Sequence, residues 1–284
     1  ALFLLRSFFT RRKRRLANQR GAKQLFGKML FLARFWVLVF LAFSALSVRA
    51  AETDAFLARV YTNGAGQILP YRLLPPSDHQ TNESYPIILY LHGAAARGTD
   101  NAEPLNWGPK LFLDPALRKA HQFFLLVPQC PKDNGWIEAN SGRNPHFKEG
   151  DALAMSLEVM TQVLPKEYNL NPKKRYLTGV SMGGHATWVL LERHPGLFAA
   201  AIPVCSGGDP ADVTKAAART PVWAFHSDDD HLVPVEQARA LVKAWREQGG
   251  TAKYTEYTGL KHSSWKKAYI DASMFDWLFR QETH

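Results

Sequence analysis

The chain has 284 residues, 46% of them apolar, enough to bury a sizeable core in one α/β domain. Its formal charge is +10, but residues 1–50 hold 11 of the 35 Lys and Arg and no Asp or Glu, leaving 24 basic against 25 acidic side chains elsewhere. A body so close to neutral has no basic face to neutralise phosphates, and a nucleic-acid partner loses its main physical support.

In chain order, the first fifty residues read as targeting. An uncharged apolar run of 14 residues, Phe35 to Val48, follows Arg34 and ends in "SVRA" before "AETD", with small Ala50 at the cut point. The run is short of the ~20 apolar residues of a spanning helix, so no stable membrane anchor is expected after cleavage. Residues 29–50 read as a signal peptide that starts at Met29, and residues 1–28 as upstream translation or an extended basic n-region. The expectation is an exported protein, periplasmic or secreted, whose mature chain starts near Ala51 as a single catalytic domain over 51–284.

Beyond Ala51, "FLARVYT" and "QILPYRLLPP" flank "NGAG", a hairpin signal. Apolar runs follow at 85–93, 121–130, 175–181, 197–205, 221–227 and 253–259, most of them without period-two alternation. Strands buried on both faces have this pattern, which predicts a mainly parallel sheet opened by an antiparallel hairpin and covered by helices on both faces. The intervening stretches 150–167, 182–194, 234–248 and 265–279 have helical composition, and "HPG" (194–196) stops the second.

The stretch "LTGVSMGGHATW" (177–188) places Ser181 between an apolar run and a helix-like run, with Gly179 and Gly183 in a GxSxG spacing. A strand-to-helix elbow strains the backbone at its centre, and flanking glycines leave room for the close approach. The helix that follows points free N–H groups at the hydroxyl and favours developing negative charge there. A serine hydroxyl needs a base, and the base needs an orienting carboxylate. "PVWAFHSDDDHLVP" ends one later run in Asp228, Asp229 and Asp230, and "YTEYTGLKHSSW" ends the next in His262. Asp230 lies 49 residues after Ser181 and His262 a further 32, room for a strand and a helix in each interval. The order Ser, acid, His is that of nucleophile-elbow hydrolases. Spacing leaves all three aspartates open as the acid.

The small residues of "LHGAAARG" (91–98) let backbone N–H groups turn toward a substrate, and the oxyanion donors are expected to be the amides of Ala94 and Met182. Trp107, Trp136 and Trp265 fall in segments that flank such a cleft, and Trp136, Trp265 and Arg97 are the candidate substrate contacts. His92 is expected to position its loop and His185 to pack on the helix after the elbow. "HSDDDH" lacks an established metal-ligand spacing, so no metal is expected.

The segments "YLHGAAARGTDN", "LVPQCP", "YLTGVSMGGHATW", "VWAFHSDDDHLVP" and "YTEYTGLKHSSW" together resemble the phospholipase/carboxylesterase branch of the α/β-hydrolase superfamily over residues 56 to 280. Within it they are most similar to exported esterases labelled "predicted peptidase", and more distantly to acyl-protein thioesterases and feruloyl esterases. The resemblance implies that the acid is Asp230 of a DxxVP pattern. It also implies carboxylic-ester hydrolysis through an acyl-enzyme, with no metal or organic cofactor; the expected partner is a small-molecule or polysaccharide-linked ester substrate. The chain departs from the pattern at Ala96, where relatives commonly carry an acidic residue, and at Ser227, where they commonly carry glycine. The superfamily's strand order implies two strands between those ending at Cys130 and Cys205. Three spacings of ~4.8 Å put them about 14 Å apart, beyond the ~7 Å limit for a disulfide, so both thiols are expected free. Two other functions fit the same fold: a serine peptidase, and a non-catalytic module that binds a glycan or partner.

Overall fold

The computed structural model describes residues 55–138, 148–149 and 151–283. The expected signal peptide and upstream region lie outside the described residues. Residues 55 onward form one compact unit around an eight-stranded sheet.

β1 (Leu57–Thr62) and β2 (Ile68–Leu74) are the expected antiparallel hairpin, in register from Leu57 opposite Leu73 to Thr62 opposite Ile68. β2 pairs antiparallel with β4 (Phe124–Pro128). From there the sheet is parallel, through β3 (Tyr85–Leu91), β7 (Leu170–Val180), β8 (Ala200–Val204), β9 (Val222–Ser227) and β10 (Ala252–Tyr257). A second small sheet pairs β5 (Ile137–Glu138) with β6 (Lys148–Glu149).

Successive residues of the parallel strands point into two separate cores, which is why their sequences are apolar throughout. Ile87, Leu89, Leu91, Leu177, Ala201, Val222 and Ala224 meet Leu153, Trp188, Leu191, Leu241 and Trp245 on one face. These come from α2 (Asp151–Glu158), α3 (Met182–Arg193) and α4 (Val235–Glu247). Ile88, Tyr90, Tyr176, Val180, Ile202, Val204 and Phe225 meet Phe112, Tyr269, Met274, Phe275 and Leu278 on the other. That face is covered by α5 (Trp265–Ala268) and α6 (Ala272–Phe279).

In α4 the buried residues Ala238, Leu241, Val242 and Trp245 recur at helical spacing. Trp245 meets Trp188 edge to face at 5.3 Å and donates its indole N–H to the Thr220 carbonyl, so burying it leaves no polar atom unpaired. The segment expected as one helix over 265–279 is two. Tyr269 ends α5, and the Asp271 carboxylate accepts the Ser273 N–H to start α6. A short helix not foreseen, α1 (Pro115–Ala120), starts on an Asp114 cap and buries none of its residues, so it carries no apolar periodicity. Among the described residues no helix is long and apolar enough to cross a membrane.

Candidate active site

β7 ends at Val180 and α3 starts at Met182, so Ser181 is the whole of the turn between them. Its backbone sits at φ 56 and ψ −116, a left-handed conformation that is strained for any residue with a Cβ. The Ser181 N–H donates to the Val204 carbonyl at 3.0 Å, tying the elbow to the neighbouring strand. The flanking glycines are required by space. A Cβ at Gly179 would stand 2.2 Å from the Gly183 oxygen, and one at Gly183 would stand 2.0 Å from the Leu91 oxygen. Gly184 is equally constrained, 2.5 Å from Ser206, although the GxSxG pattern does not include it.

Three side chains distant in sequence meet at the carboxyl ends of the strands. His262 Nε2 lies 2.8 Å from Ser181 Oγ, and His262 Nδ1 lies 2.7 Å from Asp230 Oδ2. Only the tautomer protonated at Nδ1 satisfies both contacts as a donor to the carboxylate and an acceptor from the hydroxyl. Asp230 is buried, and its other oxygen accepts the Leu232 and Val233 N–H groups, each at 3.0 Å. Burial alone would raise the Asp230 carboxyl, but the hydrogen bonds from Val233, His262 and Leu232 outweigh it and hold the group below its ordinary range.

The other two aspartates have separate partners. Asp228 Oδ2 accepts the Thr258 hydroxyl at 3.0 Å, and Asp229 Oδ1 accepts the Lys261 N–H at 2.9 Å. The sequence assigns His226 no role beyond its place in the HSDDDH stretch, for which no metal is expected. It is fully buried, with Nε2 3.2 Å from Asp230 Oδ2 and 3.0 Å from the Val233 oxygen. Burial lowers the His226 pKa, and a neutral ring with its proton on Nε2 donates toward both oxygens. Its position four residues before the acid, at the end of an apolar strand, was the available signal.

The loop after β3 reaches the same place. Gly93 lies beside Ser181, with its Cβ position 3.5 Å from Ser181 Cβ, and Ala94 starts a single 3-10 turn. His92 anchors this loop, as expected. Its Nδ1–H donates to the Gly93 carbonyl at 2.8 Å, and its Nε2 accepts the Cys130 N–H at 3.0 Å. Burial depresses its pKa to about 4, so the ring is neutral.

Trp136 corrects the reading of the cleft. Its side chain is wholly buried and its indole N–H donates to the His92 carbonyl at 2.9 Å, so it braces the loop and has no surface to offer a substrate. Arg97 is exposed, but its guanidinium folds back onto the Ala94 and Asn134 carbonyls at 3.1 and 3.3 Å. Trp265 is half-buried three residues after His262 and packs against the core of its face. Trp107 is 39% exposed and donates to Glu103. His185 accepts the Gly207 N–H on Nδ1 at 3.3 Å.

The Esterase family profile matches residues 65–239, more than half of the chain and the stretch that carries Ala94, Ser181 and Asp230. The chain belongs to the esterase family. The chain is 33% identical over 185 residues to the bifunctional acetylxylan esterase/xylanase XynS20E of Neocallimastix patriciarum, over 65% of this chain and 24% of that protein. It is 28% identical over 213 residues to the carboxylesterase SOBER1 of Arabidopsis thaliana, over 68% of this chain and 90% of that one. Among solved structures, a thermostable esterase is 39% identical with a TM-score of 0.75, covering 81% of this chain and 64% of the other. The chain thus spans about a quarter of the bifunctional relative and nearly the whole length of SOBER1. Its strand order and elbow are those of the α/β-hydrolase fold.

Proposed function

We propose that this esterase is a serine hydrolase that cleaves carboxylic esters through an acyl-enzyme. The observation that carries the reading is the unbroken relay from Ser181 Oγ to His262 at 2.8 Å and from His262 to Asp230 at 2.7 Å. Ser181 is the nucleophile, His262 the general base and then acid, and Asp230 the carboxylate that fixes the imidazole. As the Ser181 oxygen bonds to the ester carbonyl carbon, its proton passes to His262 Nε2. Asp230 stabilises the imidazolium while the carbonyl oxygen takes up negative charge, held by the amides of Ala94 and Met182. His262 then gives that proton to the departing alcohol. Water adds to the acyl-enzyme with its proton taken by the same nitrogen, and the acid is released as Ser181 regains its hydrogen.

Short-chain, aromatic-acid or carbohydrate-linked esters are the proposed substrates, with Trp265 and Arg97 the candidate contacts. The acetylxylan esterase named among the relatives supports the carbohydrate-linked class. The proposed catalytic domain is 51–284. The proposed destination is outside the cytoplasm after removal of a leader ending at Ala50, read by N-terminal sequencing of the exported product as a start at Ala51.

Ser181→Ala is expected to abolish turnover of p-nitrophenyl acetate and labelling by a fluorophosphonate, with the circular dichroism spectrum unchanged. Retained turnover in that variant overturns the reading. The wild type is expected to leave peptide anilides intact while cleaving acetyl-xylan or feruloyl esters.

A further inference from the structure

His262 sits on a loop whose backbone is not at rest in an ordinary conformation. Gly259 has φ 77 and Lys261 has φ 51, so the chain makes two left-handed turns in the three residues before the imidazole. A non-glycine residue held there needs bonds that over-determine it. The bonds come from the neighbouring strand end.

Ser227, the last residue of β9, is fully buried and stands beside Tyr257, the last residue of β10, in the parallel register. Its hydroxyl donates to Asp229 Oδ1 at 2.6 Å, lies 3.2 Å from the Tyr257 carbonyl oxygen and accepts the Leu260 N–H at 3.2 Å. Asp229 Oδ1 in turn accepts the Lys261 N–H at 2.9 Å. The N–H groups of the two residues before His262 are therefore both fastened, that of Leu260 to the Ser227 hydroxyl and that of Lys261 to the Asp229 carboxylate. The Ser227 hydroxyl and the Lys261 N–H hold the Asp229 carboxyl below its ordinary range, so the clamp carries its charge at working pH.

We infer that Ser227 and Asp229 are positioning residues for the hydrolytic reaction: together they lock the loop of His262 to the loop of Asp230 and so fix where the imidazole meets the serine. The inference rests on the proposed serine-hydrolase reading and deepens it. Neither residue touches the reacting atoms. Their effect is on the reach of His262 Nε2 to Ser181 Oγ, a distance at which small displacements cost large factors in rate.

The discriminating variants are Asp229→Ala, Ser227→Ala and Asp229→Asn, with wild type and Ser181→Ala alongside. Asp229 is exposed, so its replacement leaves the core intact and the variant folds. With p-nitrophenyl acetate, kcat is expected to fall about 10- to 100-fold in both alanine variants, with KM within about twofold of wild type. The rate of fluorophosphonate labelling, which reports attack by the serine hydroxyl alone, is expected to fall by the same factor. Asp229→Asn keeps an oxygen able to accept both hydrogen bonds and is expected to restore kcat to within about threefold. Wild-type kcat in folded Asp229→Ala overturns the clamp while leaving the triad reading in place. An inactive wild type removes both.

Discussion

Asp228, Asp229 and Asp230 are adjacent in the chain, but the turn after β9 sends their side chains to different neighbours. Asp228 takes a hydroxyl from Thr258, Asp229 a backbone N–H from Lys261, and Asp230 the imidazole of His262. Only the last is buried, and only it lies in line with Ser181. Asp230→Asn is expected to lower kcat on p-nitrophenyl acetate on the order of 10⁴-fold, because an amide nitrogen facing Nδ1 selects the wrong imidazole tautomer. Asp228→Asn is expected to leave kcat within about twofold, and equal losses in the two variants would contradict the assignment. Because the folded Asp230 carboxyl titrates below its unfolded value of 3.8, its contribution to stability is complete at neutral pH and is lost as pH falls through the folded value.

At the level of elements, α3 starts directly after Ser181 and carries a different kind of carboxyl near its other end. Glu192 has a buried oxygen with no hydrogen-bond partner among the described residues, and burial, reinforced by Asp212 and Asp209, pushes its pKa up to about 8. The folded protein therefore keeps a proton that the unfolded chain gives up near 4.5. This group's contribution becomes less favourable as pH rises from about 4.5 and levels off above about 8. Glu192→Gln removes that dependence. Melting curves are expected to show the variant gaining on wild type between pH 5 and 8, with the gap constant on either side. A gap that does not change with pH would rule out a buried, titrating carboxyl.

Across the whole molecule, Cys130 follows β4 and Cys205 follows β8, with β3 and β7 between them in the sheet. Both thiols are free and buried, and burial raises each to about 12, so neither offers a thiolate at neutral pH. Thiol titration is expected to find two sulfhydryls in unreduced, denatured protein and almost none in native protein. The same sheet shows why so much of the architecture was legible in advance. A strand covered on both faces announces itself as a continuous apolar run, and the elbow announces itself because its glycines have a steric reason to be there. α1 and the β5/β6 pair were not legible, since α1 buries nothing and two-residue strands leave no pattern. Trp136 was misread because only the folded loop shows its indole turned inward to His92. The role of Ser227 depends on loops that meet only when β9 lies beside β10.

The conformation of Ser181 sets a limit on how sturdy this fold can be while it works. A left-handed residue that carries a Cβ costs about 1–3 kcal/mol, and glycine at the same point would not bear that cost. The most durable form of the elbow is therefore one that lacks the hydroxyl proposed as nucleophile. Selection for heat resistance alone would drift toward that inert form, and durability compatible with turnover has to be sought in the cores and surface loops away from the elbow.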